Sequence, residues 1–187
     1  MTATLTTRLR LEPLDPKHVE DLLSLRADER VHRWFEGPIS RQEALSSLSE
    51  ARLRWREDGI GSWSAYSLAD GSYVGQGGAS WSDAVGYRAV EVGWSLVPDH
   101  WGNGYATEMG AAGLTLAFSS SDVDQVVALA LPDNERSVAV MRRLCLSYKG
   151  ECRYRDKTHV VYSISRDEWQ AGPGTEAPRS GEQPRTT

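Results

Sequence analysis

Alternation and helical spacing divide the chain into an ordered series of elements. In residues 8–14, RLRLEPL, Leu9 and Leu11 fall on one face, which predicts a first strand ending near Pro13. The following DPKHVEDLLSLRADERV sets Val19, Leu22 and Leu23 at helical spacing, with Asp15 as the cap and Pro16 at the first helical position. A second helix is expected over residues 40–57. Ser40 and Glu43 fit a capping box there, and Ala44, Leu45, Leu48 and Leu53 supply an apolar stripe.

The middle of the chain changes period. SWSAYSLADGSYVGQGGASW predicts a hairpin, with strands near 62–68 and 72–81 joined around ADGS. In AVEVGWSLV, Val90, Val92, Trp94 and Leu96 share one face, and Glu91, Gly93, Ser95 and Val97 share the other, before Pro98 stops the strand. Residues 104–118 suit a helix. DQVVALAL at 124–131 predicts a strand buried on both faces. NERSVAVMRRL opens another helix at the potential cap Asn134, with Met141 and Leu144 inward, and YKGECRYR with KTHVVYSIS completes a second hairpin. The order β-α-α-β-β-β-α-β-α-β-β predicts an α/β layer with a mixed sheet. Residues 1–169 are expected to form a single domain. Residues 170–187, rich in Gly, Pro and polar side chains, are expected to form a disordered tail.

Composition narrows the class of protein. The chain has 187 residues, enough for one domain with a real core, and is 40% hydrophobic and 25% charged. Its net charge of −5 argues against a dedicated nucleic-acid binder, which needs a clustered basic surface. Cys145 and Cys152 show no metal-type spacing and are expected to be reduced thiols, with no metal site. No apolar run reaches the length of a membrane span, and the start MTATLTTRLRLEPL lacks the apolar stretch of a secretory signal. A soluble, cytoplasmic protein is the expectation.

The chemistry concentrates in residues 98–108, PDHWGNGYATE. A strand that runs through a glycine-bearing turn into a helix makes an anion site. Backbone N–H groups at a helix start lack internal partners, the dipole favours negative charge, and glycine lets a phosphate approach the backbone. Gly102, Gly104 and the small Ala106 suit a diphosphate. GNGYAT has no third glycine for a dinucleotide fingerprint, and no Gly-Lys-Ser/Thr for a triphosphate loop. Taken alone, the two glycines read equally well as a tight turn.

The surroundings extend the pattern. EVGWSLVPDHWGNGYATE resembles the acyl-coenzyme A binding segment of the GNAT superfamily of N-acetyltransferases, closest to the branch of ribosomal-protein N-terminal acetyltransferases. TTRLRLEPL, VHRWF, the hairpin with VGQGG, and PDNERSVAVMRRL match in order, so the resemblance spans residues 6–166. It implies a GNAT-type fold, with a mixed central sheet of about six to seven strands flanked by about four helices. It also implies an acetyl-CoA dependent transferase that acetylates a primary amine, either a protein N-terminus or a small molecule. A catalytically weak or inactive CoA-binding module of the same fold is the alternative, and a homodimer stays open.

The resemblance also assigns residues. Trp101, Gly102, Asn103, Gly104, Tyr105 and Ala106 align with the Q/R-x-x-G-x-G/A motif, so that backbone amides from 102 to Thr107 would hold the diphosphate. Trp101 departs from Gln or Arg but is usual in this branch. Trp94, Ser95, Leu96 and Val97 would offer backbone groups to the pantetheine arm, with an amide at or near Leu96 polarising the thioester carbonyl. Asn134 matches the family's cofactor-bonding Asn and also reads as a plain cap. Glu91, an acid in an otherwise apolar strand, matches the acidic position of the branch and is the candidate base; a structural ion pair is its other reading. Many members place a proton-donating Tyr seven residues after the Asn, where this chain has Met141. Ser137 is the substitute donor, or else a small residue packed on the cofactor.

One departure concerns LCL at 144–146, where the family has Gly-Phe. Cys145 is not expected to supply the left-handed geometry that glycine gives, so an altered turn or altered packing on the adenine side is predicted. Trp34, Phe35, Trp55, Trp63 and Trp81 are candidates for the acceptor pocket or for the core. His18, His32, His100 and His159 read as surface or packing residues, and His100 beside the glycine turn is the one to test.

Overall fold

Leu9 and Leu11 are fully buried, and the strand they define is the second of a continuous sheet. The computed structural model describes residues 2–120 and 122–172. Its strands are β1 (Thr4–Leu5), β2 (Leu9–Pro13), β3 (Ser62–Ser67), β4 (Tyr73–Ser82), β5 (Ala89–Leu96), β6 (Gln125–Ala130), β7 (Ser147–Tyr154) and β8 (Lys157–Ser165). They lie in the order β1-β2-β3-β4-β5-β6-β8-β7. Every neighbouring pair is antiparallel except β5 and β6, which are parallel. The helices are α1 (Val19–Ala27), α2 (Glu29–His32), α3 (Arg41–Glu57), α4 (Tyr105–Ser120), α5 (Glu135–Arg143) and α6 (Arg166–Ala171).

Two layers of helix follow from the alternation along the strands. Val90, Val92, Val126, Ala128 and Ile164 form the main core with Leu114 and Ala117 of α4 and Val140 and Met141 of α5. The α4 helix lies close on the sheet because Gly113 has no side chain. A Cβ there would stand 2.8 Å from Val92 Cγ2 and 3.2 Å from the Gly78 carbonyl carbon. On β3, Trp63 and Ala65 join the cluster of Leu9, Leu11 and Met109. Their neighbour Tyr66 turns the other way and donates to Asp21 Oδ2 of α1 at 2.5 Å. There α1 and α3 form a smaller layer around Leu14, Val19, Leu22, Ala44 and Leu48.

The mixed sheet agrees with the sequence reading, and the differences have local causes. Among the described residues the sheet has eight strands, because Thr4–Leu5 pairs with Leu11 and Arg10 as a two-residue edge too short to leave a period. Six helices among the described residues stand in place of about four. The run expected from Pro16 onward starts as a 3-10 turn over Pro16–His18 and breaks at Asp28, whose extended backbone (ψ 121°) lets its carboxylate cap α2. The stripe of α3 is narrower than expected, since Ala44 and Leu48 are buried while Leu45 and Leu53 are exposed. A capping box of Ser165 and Glu168 starts α6, which takes in Gln170 and Ala171 of the expected tail. Residues 173–187 of that tail lie outside the described residues. Among those described, no helix is long and apolar enough to cross a membrane.

The turn after α5 also differs from expectation. Cys145 stands at φ 63°, and its N–H donates to the Arg142 carbonyl at 3.0 Å while the Leu146 N–H reaches the Met141 carbonyl at 3.0 Å. This is the paired bonding of a Schellman ending with a cysteine in the glycine place. The turn keeps its form, and the cysteine bears the strain.

Candidate active site

The register between β5 and β6 consists of Val90↔Val126 and Glu91↔Val127. Beyond it β5 continues to Leu96 and β6 to Ala130, so the strands part and leave backbone groups facing a gap. A cleft of about 1130 Å³ occupies this region. It is lined on one side by Glu91 and residues 93–96, on another by Leu129 to Leu131, Asn134 and Ser137, and at its mouth by Trp101, Gly102 and residues 104–107.

Antiparallel bonding decides which groups of β5 face the gap. The Val97 N–H donates to the Val74 carbonyl at 3.0 Å, which makes that pair hydrogen-bonded. With a period of two, the backbone groups of Ser95, Gly93 and Glu91 also turn toward β4, and those of Trp94 and Leu96 turn toward the gap. Trp101 Nε1 takes the Leu96 carbonyl at 2.9 Å. That leaves the Leu96 N–H, with the backbone of Trp94, directed into the cleft. Ser95 lines the cleft through its side chain, and Val97 is not among the lining residues.

At the mouth, Gly102 and Gly104 have φ of 79° and 80°, conformations that disfavour any side chain, and α4 begins at Tyr105. The loop therefore presents main chain at the positive end of a helix of 16 residues. A Cβ on Gly104 would approach Arg8 Nη2 to 3.3 Å. Asn103 is not among the lining residues, and its carbonyl accepts from Arg8 Nη1 at 2.8 Å. On the far wall Asn134 Oδ1 caps α5 by accepting from the Ser137 N–H at 3.2 Å, so both residues sit together on the cleft. Met141 is buried in the core and puts no hydroxyl there. Arg136, unforeseen from the sequence, lies over the Trp101 ring at 4.5 Å. These open glycines, unpaired strand groups and nearby cations fit the extended, diphosphate-bearing acetyl-CoA that the sequence pattern implies.

Glu91 stands at the inner end of the gap. Burial pushes its carboxyl above the ordinary range, against a hydrogen bond from Ser82 and the more distant charges of His159 and Arg155. A raised carboxyl that still ionises has the character of a base for an ammonium group. The cleft is also lined by Trp34, Phe35, Tyr154 and His159; Trp81 borders it too, but it pairs with Val90 rather than Glu91 and packs against the main core on the other face of the sheet. Lys157 Nζ donates to the Phe35 carbonyl at 3.1 Å, tying the segment after α2 to the β7–β8 turn.

The other candidates separate. Trp63 is buried and Trp55 packs against it at 5.6 Å, with Trp55 Nε1 on the Ser62 carbonyl, so these two belong to the core. His18 is buried, where burial holds its pKa below the usual value, and it is bonded to Glu12 and Asp15. His32 faces the Arg26 carbonyl. His100 lines the cleft with its ring 5.9 Å from that of Tyr105, and His159 lines it near Glu91.

Comparison with known proteins agrees with the fold. A Bacillus subtilis protein described as the uncharacterized N-acetyltransferase YoaA is 25% identical over 167 residues, covering 85% of this chain and 94% of its own. The crystal structure of an acetyltransferase from Agrobacterium tumefaciens shares the fold at a TM-score of 0.76 and 24% identity, covering 89% of this chain and 95% of that one. RimL, a ribosomal L7/L12 alpha-N-protein acetyltransferase solved with coenzyme A, shares it at 0.71 and 18%, covering 88% and 98%. Residues 8–147 match the family described as the acetyltransferase (GNAT) domain. With its parted strands, its glycine loop and this match over most of its length, the chain belongs to the GNAT family of acetyltransferases, whose acetyl donor is acetyl-CoA.

Proposed function

We propose that the protein acetylates a primary amine by direct attack of that amine on the thioester, and that residues 1–169 form the one catalytic domain. The reading rests on one observation: Glu91 lies with a raised carboxyl pKa at the point where β5 and β6 part. Acetyl-CoA bound in the cleft would supply an activated acyl group. The loop amides from Gly102 to Thr107 would hold its diphosphate, the strand groups of Trp94 and Leu96 its amide arm, and Asn134 and Ser137 the opposite side.

The chain's own residues then have distinct tasks. Glu91 takes the proton of the acceptor ammonium, since only the neutral amine is nucleophilic. The Leu96 N–H faces the carbonyl oxygen where negative charge develops. Ser137 is the hydroxyl available to protonate the departing sulfur. Trp34 and Phe35 enclose the acceptor side, which suits an amine carried on a small molecule or at a peptide N-terminus.

Thiol release with acetyl-CoA and a panel of small amines and N-terminal peptides tests this reading. Turnover on at least one amine, with an acetamide as product, is expected. Tight coenzyme A binding without turnover on any acceptor overturns it in favour of a binding module.

A further inference from the structure

Arg8 and Glu108 stand 100 positions apart in the chain, yet Arg8 Nε donates to Glu108 Oε2 at 2.8 Å. The contact is one part of a larger web. Glu108 Oε1 also accepts from the Arg8 backbone N–H at 2.7 Å and from Thr6 Oγ1 at 2.6 Å. Burial tends to raise the Glu108 carboxyl, but these bonds from Thr6 and Arg8 outweigh it and hold its pKa below the ordinary value. The guanidinium is thus fixed from behind. Its front does two things: Nη1 donates to the Asn103 carbonyl at 2.8 Å, and its carbon lies 4.8 Å over the Tyr105 ring.

The bond to Asn103 has a geometric result. In a trans peptide the C=O and the following N–H point to opposite edges of the plane. The Asn103–Gly104 bond is trans. Holding the Asn103 carbonyl toward Arg8 therefore turns the Gly104 N–H away from Arg8, and Gly104 lines the cleft. The Gly104 carbonyl is occupied separately, accepting the Glu108 N–H at 3.1 Å as the first bond of α4. Both ends of the residue are set, one by the helix and one by Arg8.

We infer that Arg8, braced by Glu108 and Thr6, is a positioning residue that aims the Gly104 N–H at the diphosphate of the donor. The inference rests on the reading of the cleft as an acetyl-CoA site and adds to it a residue from the turn between β1 and β2. A fork is required for this task, because Nε and Nη1 serve different partners at once. Arg8 is half-exposed and Glu108 nearly enclosed, so the carboxylate is the fixed anchor of the pair.

The test compares coenzyme A with pantetheine, which lacks the diphosphate and nucleotide, by measuring the affinity of each for wild type, Arg8→Ala and Arg8→Lys. The expected result is a loss of about 10-fold toward coenzyme A, the worth of one well-aimed hydrogen bond, in both variants, with pantetheine affinity unchanged. Arg8→Lys keeps the charge and loses the fork, so a lysine variant with wild-type affinity overturns the positioning role. Equal losses toward both ligands also overturn it, because they mark a general loosening of the fold. A wild type that gains nothing from the diphosphate overturns the site reading, and this inference with it. Wild-type preference kept in Arg8→Ala overturns the inference alone.

Discussion

Glu91 on β5 faces Val127 on β6 at the second of the two registers that join these strands. The carboxylate is thus placed where paired sheet gives way to open backbone, buried enough to raise its pKa and beside the cleft where an amine can enter. Its position sets the pH behaviour of the reaction. The base works only when ionised, so kcat/KM is expected to rise with pH through a midpoint above the ordinary 4.5 of a glutamate. A pH–rate profile of wild type checks this, and a profile flat from pH 4.5 upward contradicts it.

The same burial has an effect on stability. A carboxyl raised in the folded state contributes stability that is full below its unfolded pKa and is lost as pH rises through the folded value. As pH rises above that range the buried Glu91 therefore weakens the fold, and at pH 8 Glu91→Gln is expected to raise Tm, by about 2–4 °C for each roughly 1 kcal/mol in a domain of this size. The gain should vanish below pH 4.5. Paired thermal melts at the two pH values measure it.

Cys145 offers a separate test of strain. Its φ of 63° is costly for a residue with a Cβ, and the bonds around it are those a glycine would make. Cys145→Gly is expected to stabilise the protein by about 0.5–1 kcal/mol, after the entropic cost of glycine. The urea midpoint should rise at constant m-value.

Gly113 tests how closely α4 must sit on the sheet. A Cβ there would meet Val92 Cγ2 at 2.8 Å. Gly113→Ala is expected to cost roughly 1–3 kcal/mol by overpacking, read as a lower urea midpoint. Because α4 carries the glycine loop at its start, coenzyme A affinity should fall in the same variant.

The sequence made some of this visible and hid the rest for physical reasons. Alternation along AVEVGWSLV singled out Glu91 as an acid in an apolar strand, and the glycines of WGNGYATE pointed to exposed main chain at a helix start. Both are local patterns. The parting of β5 from β6 is set by two registers between strands 36 positions apart, and the Arg8–Glu108 contact by a distance of 100, which no local period encodes. Leu45 and Leu53 fell on the expected stripe of α3, yet that helix has only a small layer to cover and leaves them in solvent. The turn at Cys145 kept its form because Leu144 and Leu146 on either side are both buried, and their packing outweighs the strain of a single residue. Trp55 and Trp63 carried no signal to tell a pocket from a core, and mutual packing assigned them to the core.

The most direct measurement is steady-state kinetics of wild type and Glu91→Gln with acetyl-CoA and an acceptor that wild type turns over. A fall in kcat of about 100-fold or more is expected, with coenzyme A affinity unchanged, since Glu91 handles the proton and the loop holds the donor. A Glu91→Gln enzyme with wild-type kcat would contradict it.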